Sequence, residues 1–347
     1  YVKPAVLQVL DPNQYGAVPK SSTTQAVIHM VHYWSKETDG NGATVRVTLF
    51  DYQKAFDLIN HKILRIKLSK GCYSEWGSVP SGVPQGTKLG PWLFLVPNND
   101  LLLIDNGIAH IWKYVDDTTA SEVVIKGRAS NAQQIADNVA KWSSDNRVKL
   151  NSDKCKELRI SFARKESHFA PIVINNEELG LVNSAKLLGV TISNNLTWNE
   201  HINEIIKKAS KRLYFLSQLK RARAKQHLVL FYTSYIRFIL TYASPVFFYA
   251  LPEYLKNELE RIQKTALRII CPGHCYNDAM ELANIVPISD YILEICKQTV
   301  DKIINDSGHR LYSLVQQRGP SQYALRRTKR FSVPKCSFII RSSINYL

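Results

Sequence analysis

The sequence predicts an α+β fold on three observations. Short runs rich in Val, Ile, Thr and Phe alternate with helical periodicities over the first part of the chain. Helical periodicity then dominates from Trp198 onward. The 347 residues are 45% hydrophobic and 21% charged, an ordinary globular balance that excludes a disordered chain and a fibre. The expected organisation is a mixed region over 1–195, a helical region over 196–250 and a basic helical region over 251–347.

The elements follow in order. Ser21 to Lys36 predicts a helix, with hydroxyl residues at its start and Ala26, Val27, Met30, Val31 and Trp34 at helical spacing. The cluster Thr38-Asp39-Gly40-Asn41-Gly42 predicts a turn. Thr44 to Phe50 predicts a strand that ends at Asp51, and Lys54 to Asn60 a short helix. Arg65–Ser69 and Tyr73–Val79 around Lys70-Gly71 predict a hairpin, and Ser81 to Leu89 a Gly/Pro loop. Gly90 to Leu103 is apolar enough for a helix but contains Pro97. Ile111–Val115 and Ser121–Ile125 predict a second hairpin around Asp116-Asp117-Thr118-Thr119. A helix over Asn131–Val148 and strands at Leu158–Phe162, Pro171–Ile174 and Lys186–Ile192 complete the mixed region.

The net charge is +16, from 45 Lys and Arg against 29 Asp and Glu. Residues 201–347 hold 23 basic and 10 acidic residues, which leaves +13 there and +3 for the first 200. Such asymmetry points to a polyanionic partner. From Trp198 to Lys225, Ile202, Ile205, Ile206, Ala209, Leu213 and Leu216 form one apolar stripe. Lys207, Lys208, Lys211 and Arg212 lie off that stripe, as candidates to follow a phosphate backbone. Six Cys without an even framework do not read as a disulfide scaffold, and Cys271, His274 and Cys275 lack a fourth ligand for zinc. The longest apolar stretch, Phe238 to Leu251, is too short for a membrane span. No signal peptide follows Tyr1, so an intracellular location is expected, in nucleus or cytoplasm; the missing Met suggests a fragment.

Three carboxylates stand out. Asp51 ends a strand, and Asp116 and Asp117 sit at a hairpin tip. Adjacent acids repel unless a cation holds them, and two divalent ions are the natural partner. Two such ions activate an attacking hydroxyl and stabilise a leaving oxygen in phosphoryl transfer. Mg²⁺ suits the role because it takes few carboxylates and keeps positions open for phosphates. The plainer reading of Asp116-Asp117 is a turn.

Three segments in order carry a resemblance. They are Phe50-Asp51-Tyr52-Gln53-Lys54-Ala55-Phe56-Asp57, then Gly82-Val83-Pro84-Gln85-Gly86-Thr87, then Tyr114-Val115-Asp116-Asp117. Together they resemble the palm of reverse transcriptases from non-LTR (LINE-type) retrotransposons of the jockey-like kind. Gln14-Tyr15-Gly16 with Ser21-Ser22-Thr23 resembles the fingers of that family. Leu150-Asn151 with Lys154 resembles its next palm motif, and Leu187-Leu188-Gly189-Val190 with Leu196-Thr197-Trp198 its primer-grip region.

The resemblance implies a right-hand polymerase palm with partial fingers, followed by a mainly helical thumb. It implies Asp51, Asp116 and Asp117 as metal ligands, with the Tyr52 carbonyl as a backbone ligand, for two Mg²⁺ or Mn²⁺ ions. Phe56 matches the position whose ring excludes a ribose 2′-OH. Gln85 and Gly86 match a loop touching the incoming nucleotide, and Lys154 a proton donor to pyrophosphate. Asp57, Asn60 and His61 match the family as structural residues. The implied partners are an RNA template, a DNA primer and deoxynucleoside triphosphates, with no membrane.

The chain departs from that pattern in three places. The fingers of the family begin before Tyr1. A helix and loop of the palm are missing between His61 and Arg65. Pro97 stands in an apolar run that precedes Asn99-Asp100. These departures predict weak primer extension. Two other readings stay open: a catalytically dead remnant that only binds nucleic acid, and a two-metal nuclease using the same acids.

Overall fold

The computed structural model describes residues 10–39, 42–60, 63–64, 82, 90–102, 109–163, 168–221 and 223–316. The chain divides into two compact units. The first comprises Tyr1–Ala26, Tyr33–Leu188 and Ser193–Asn195; the second comprises Val27–His32, Gly189–Ile192 and Leu196–Leu347.

The first unit is built on a five-stranded sheet. Its main strands are β1 (Thr44–Phe50), β2 (Ala109–Tyr114), β3 (Asp117–Val124) and β4 (Lys156–Ser161). The short β5 (Val173–Ile174) and β6 (Glu177–Glu178) pair with each other outside it, and β7 (Gly180–Val182) completes the sheet at its edge. The order is β2-β3-β1-β4-β7, antiparallel throughout except for the β4–β7 pair. β1 is therefore central, and its burial is almost continuous, as a strand covered on both faces requires.

Helix α1 (Thr23–Glu37) starts where Ser22 accepts a hydrogen bond from the Gln25 N–H at 3.2 Å, a side-chain cap. Its Trp34 meets Trp112 of β2 edge-on at 5.9 Å. Helix α2 (Gly90–Asn98) runs through Pro97 and stops one residue later, so the proline sits at its end and leaves the earlier turns intact. Helix α3 (Ala132–Asp145) lays Ile135, Ala136 and Val139 on the core that also holds Phe50, Tyr52, Phe94 and Leu150.

A buried ion pair ties the other end of the sheet. Arg46 of β1 meets Glu157 of β4 at 2.7 Å, and the two side chains are 4% and 1% exposed. The remaining Arg46 nitrogens donate to Ser130 Oγ and to the Ala170 carbonyl, so the guanidinium is fully engaged. Burial alone would raise the Glu157 carboxyl, but hydrogen bonds from Arg159 and Arg46 hold it below the usual range.

Two strands, β8 (Ser184–Leu187) and β9 (Val190–Ser193), follow β7. The second unit is helical. It contains α4 (Asn199–Leu219), α5 (Lys225–Phe231), a π-helical turn (Tyr232–Arg237), α6 (Phe238–Thr241), α7 (Ser244–Phe247), α8 (Glu253–Ile270), α9 (Tyr276–Ala283), α10 (Ile288–Ile304) and α11 (Tyr312–Gln316). The apolar stripe of α4 is buried at Ile202, Ile205, Ala209, Leu213 and Leu216, and α4 packs on α8. Under the π-helical turn, Tyr232 donates to Gln263 at 2.7 Å, and Gln263 donates to Tyr276 and to the Val286 carbonyl, each at 2.9 Å. Among the described residues no helix is long and apolar enough to cross a membrane. The described cysteines, Cys155, Cys271, Cys275 and Cys296, are free.

Several expectations need correction. Lys54–Asn60 forms turns, not a helix, with Lys54 at φ +46°. So few residues cannot nucleate a helix without a packed apolar face. Lys186–Ile192 is not one strand. It breaks at Leu188 and Gly189, both at positive φ, which is turn geometry. The second hairpin is tighter than its sequence suggests, because Asp117, Thr118 and Thr119 already belong to β3. The hairpin expected over 65–79 lies outside the described residues.

Candidate active site

The register of the sheet brings the three acids together. β1 ends with Phe50 opposite Thr118, so Asp51 emerges beside Asp117 at the mouth of the β2–β3 hairpin. Tyr114 pairs with Asp117, which leaves Val115 and Asp116 as a two-residue turn. Burial raises the Asp116 carboxyl, and the nearby Asp51 charge raises it further, although a backbone hydrogen bond works the other way. Asp117 keeps an exposed edge, yet the protein around it displaces enough water to raise its carboxyl. With the Asp116 and Asp51 charges added, it reaches about 6. The acids therefore crowd one another.

Asp51 is fixed from its backbone. Its carbonyl accepts the Asn151 N–H at 2.8 Å, and its own N–H reaches Cys155 Sγ at 3.4 Å. Gln53 N–H donates to the Lys149 carbonyl at 2.8 Å, so hydrogen bonds flank Tyr52 on the β4 side. Tyr52 itself forms an isolated antiparallel bridge with Leu150. The buried Tyr52 ring meets Trp142 edge-on at 6.1 Å.

Lys154 lies with its Nζ 3.9 Å from Asp51 Oδ2, both partly in water. Exposed pairs of this kind contribute ~0–1 kcal/mol, so a divalent ion can displace the ammonium. The fit to a metal rests on the donor set: hard carboxylate oxygens and mutual repulsion that a cation relieves. Among the described residues, no three His, Cys, Asp or Glu side chains already stand in metal-holding positions.

Phe56 is half-buried, and its ring packs on Phe94 of α2 at 5.4 Å. That contact makes it a stiff wall. Gly82 is held by the Ile59 carbonyl at 2.9 Å, at φ +93°. A Cβ there would come within 3.1 Å of the Asp57 carbonyl oxygen, so only glycine fits so close to the turns after Asp51. Gln85 and Gly86 lie outside the described residues. In the second unit Lys207, Lys208 and Lys211 are exposed on α4. Lys208 pairs with Glu204 at 3.7 Å, while Arg212 donates to the Tyr235 carbonyl at 2.5 Å.

Sequence reasoning missed the buried pair Lys113–Asp11, 2.5 Å apart and 0% and 3% exposed. A lysine inside the apolar run Ile111–Val115 was the available signal. It also missed Cys155 under Asp51, which nothing in the local pattern marks.

A family model described as reverse transcriptase (RNA-dependent DNA polymerase) matches residues 1–192, more than half of the chain. The chain belongs to the reverse transcriptase family. Within it, the similar curated proteins are polymerases of jockey-type mobile elements. The RNA-directed DNA polymerase from mobile element jockey of Drosophila melanogaster is 25% identical over 73% of this chain and 31% of its own length. The jockey polymerase of Drosophila funebris is 28% identical over 75% of this chain and 30% of its own length. The chain thus spans about a third of the length of these relatives. A second model, described as the N-terminal part of alkylated DNA repair protein alkB homolog 8, matches only residues 198–237. Among solved structures, apo telomerase from Candida tropicalis covers 90% of this chain and 59% of that one, at 12% identity and a TM-score of 0.42. A likeness that slight decides nothing about this chain.

Proposed function

We propose that the chain carries the palm and thumb of an RNA-directed DNA polymerase of a non-LTR element, copying RNA into DNA. The observation that carries this reading is the crowding of Asp51, Asp116 and Asp117, which raises the Asp116 and Asp117 carboxyls where a strand end meets a hairpin turn. The division of labour follows the notional boundaries 1–195 for palm and partial fingers, 196–250 for thumb and 251–347 for a basic C-terminal region.

Asp51, Asp116, Asp117 and the Tyr52 carbonyl would hold two Mg²⁺ ions, with Mn²⁺ as a substitute. When bound, such ions lower the pKa of the primer hydroxyl and stabilise charge on the leaving pyrophosphate. The protein's own residues bind and orient. Phe56, backed by Phe94, would leave no room for a 2′-oxygen and so favour deoxynucleotides. Gln85 and Gly86 would line the incoming nucleotide. Lys154, released from Asp51, would hold a proton near the departing pyrophosphate. Lys207, Lys208, Lys211 and Arg212 would contact phosphates of the template–primer duplex, and most of the rate enhancement would come from positioning and fixed charge.

A second reading, a nucleic-acid-binding remnant with little catalysis, is favoured by one observation. Asp51 already pairs with Lys154, 3.9 Å apart. Primer extension on poly(rA)/oligo(dT) with Mg²⁺ or Mn²⁺ separates the two. Extension that Asp116→Asn abolishes supports the polymerase. Salt-sensitive duplex binding without extension supports the remnant.

A further inference from the structure

The catalytic turn is strained, and its strain is held by residues far from it in sequence. Val115 adopts φ +60°, a conformation that β-branched residues rarely tolerate. A free hairpin with Val at this position would relax and redirect Asp116. Both polar groups of the Val115 backbone are gripped from outside the hairpin. Its N–H donates to Gln14 Oε1 at 3.1 Å, and its carbonyl accepts from Asn98 Nδ2 at 2.8 Å. Gly16 donates to the same Gln14 oxygen at 2.8 Å. A Cβ on Gly16 would fall within 2.5 Å of Val115, so glycine alone lets the segment lie against the turn.

The two gripping residues are themselves anchored on one buried residue, Lys113. Lys113 Nζ donates to the Asn98 carbonyl at 2.9 Å and pairs with Asp11 at 2.5 Å. Asp11 N–H donates to Asn99 Oδ1 at 2.6 Å, and Gln14 forms an isolated parallel bridge with Lys113. The segment 11–16 and the end of α2 therefore close around the Lys113–Val115 stretch from two sides. Lys113, Asp11, Gln14 and Asn98 are all buried, so this network is insulated from water, where hydrogen bonds hold geometry most firmly.

We propose that Gln14 and Asn98 are positioning residues. They lock Val115 in the left-handed conformation and thereby aim Asp116 at the metal site. The inference rests on the metal-binding reading of Asp116 given above.

The test uses the full chain and four variants: Asn98→Leu, Gln14→Leu, the double variant Asn98→Leu/Val115→Gly, and Asp116→Asn as a control. Mn²⁺ binding is followed by electron paramagnetic resonance, and amide exchange by mass spectrometry across residues 113–118. Asn98→Leu and Gln14→Leu are expected to weaken Mn²⁺ binding ~10-fold, the scale set by one strained backbone residue, and to speed exchange at the turn. Val115→Gly is expected to restore binding in the Asn98→Leu background, because glycine takes φ +60° without strain. A merely structural loss would be worsened by the added glycine. Unchanged binding and exchange in both single variants overturns the proposal, as does failure of the glycine to restore binding. Should Asp116→Asn leave Mn²⁺ binding unaltered, the metal-site reading falls, and turn exchange alone then decides whether Gln14 and Asn98 hold Val115.

Discussion

Replacing Asp117 by Asn should stabilise the metal-free protein at neutral pH, and the effect should vanish in acid. The Asp117 carboxyl is raised from 3.8 to about 6 by burial and by the Asp116 and Asp51 charges. Its folded-state value lies above its unfolded one, so the folded chain holds a proton that the unfolded chain has released between pH ~4 and ~6. Stability therefore falls as pH rises through that window, and the full penalty persists above it. A difference of about 2 in pKa would nominally correspond to ~3 kcal/mol at 1.36 kcal/mol each. Asp117 is exposed, so solvent screening reduces this to ~1 kcal/mol. For a unit of this size that is a rise of ~2–4 °C in melting temperature. Thermal melts in EDTA at pH 4.0 and 7.5 measure it. The gain should appear only at pH 7.5, and Mn²⁺ should erase it by rescuing the wild type. A variant no more stable at pH 7.5, or equally shifted at both pH values, would refute the claim that the acids crowd one another.

Three further outcomes are expected. Arg46→Ala should destabilise the first unit by ~3–5 kcal/mol, because it leaves Glu157 buried without its partner; urea unfolding measures it. In the wild type the depressed Glu157 carboxyl contributes stability above the usual carboxylate range, and this is lost as pH falls through its lowered folded value, a decline that Glu157→Gln should flatten in an acid titration. Charge reversal at Lys207, Lys208, Lys211 and Arg212 should flatten the salt dependence of binding to an RNA–DNA duplex, since each phosphate that is no longer neutralised takes ~0.9 off the log–log slope. An unchanged slope in filter binding would leave α4 as a solvated surface only.

Local pattern was enough for the long elements. β1 over Thr44–Phe50 matches its expected span, α1 and α3 lie within a few residues of theirs, and the helical character after Trp198 holds. These segments commit themselves through periodicity, and packing reinforces the local preference. Lys54–Asn60 and Lys186–Ile192 misled because seven residues carry too little periodicity to decide between strand, helix and turn. The Lys54 and Leu188 conformations are set by where the chain must go next.

The sequence by itself determined which residues are candidates for chemistry and in what order they come: Asp51, Phe56, Asp116, Asp117 and Lys154, on a chain whose basic excess lies after residue 200. Only the tertiary structure decided which of them meet and what holds them. Asp51 faces Lys154 because Asn151 and Cys155 grip its backbone. Val115 is clamped by Gln14 from 101 residues away, and by Asn98 across a helix end. Lys113 is fully buried against Asp11, a partner about a hundred residues away that no local pattern assigns. The reason is physical: periodicity records the face a residue prefers, whereas a partner distant in sequence is chosen by strand register and by the need to satisfy each buried polar group.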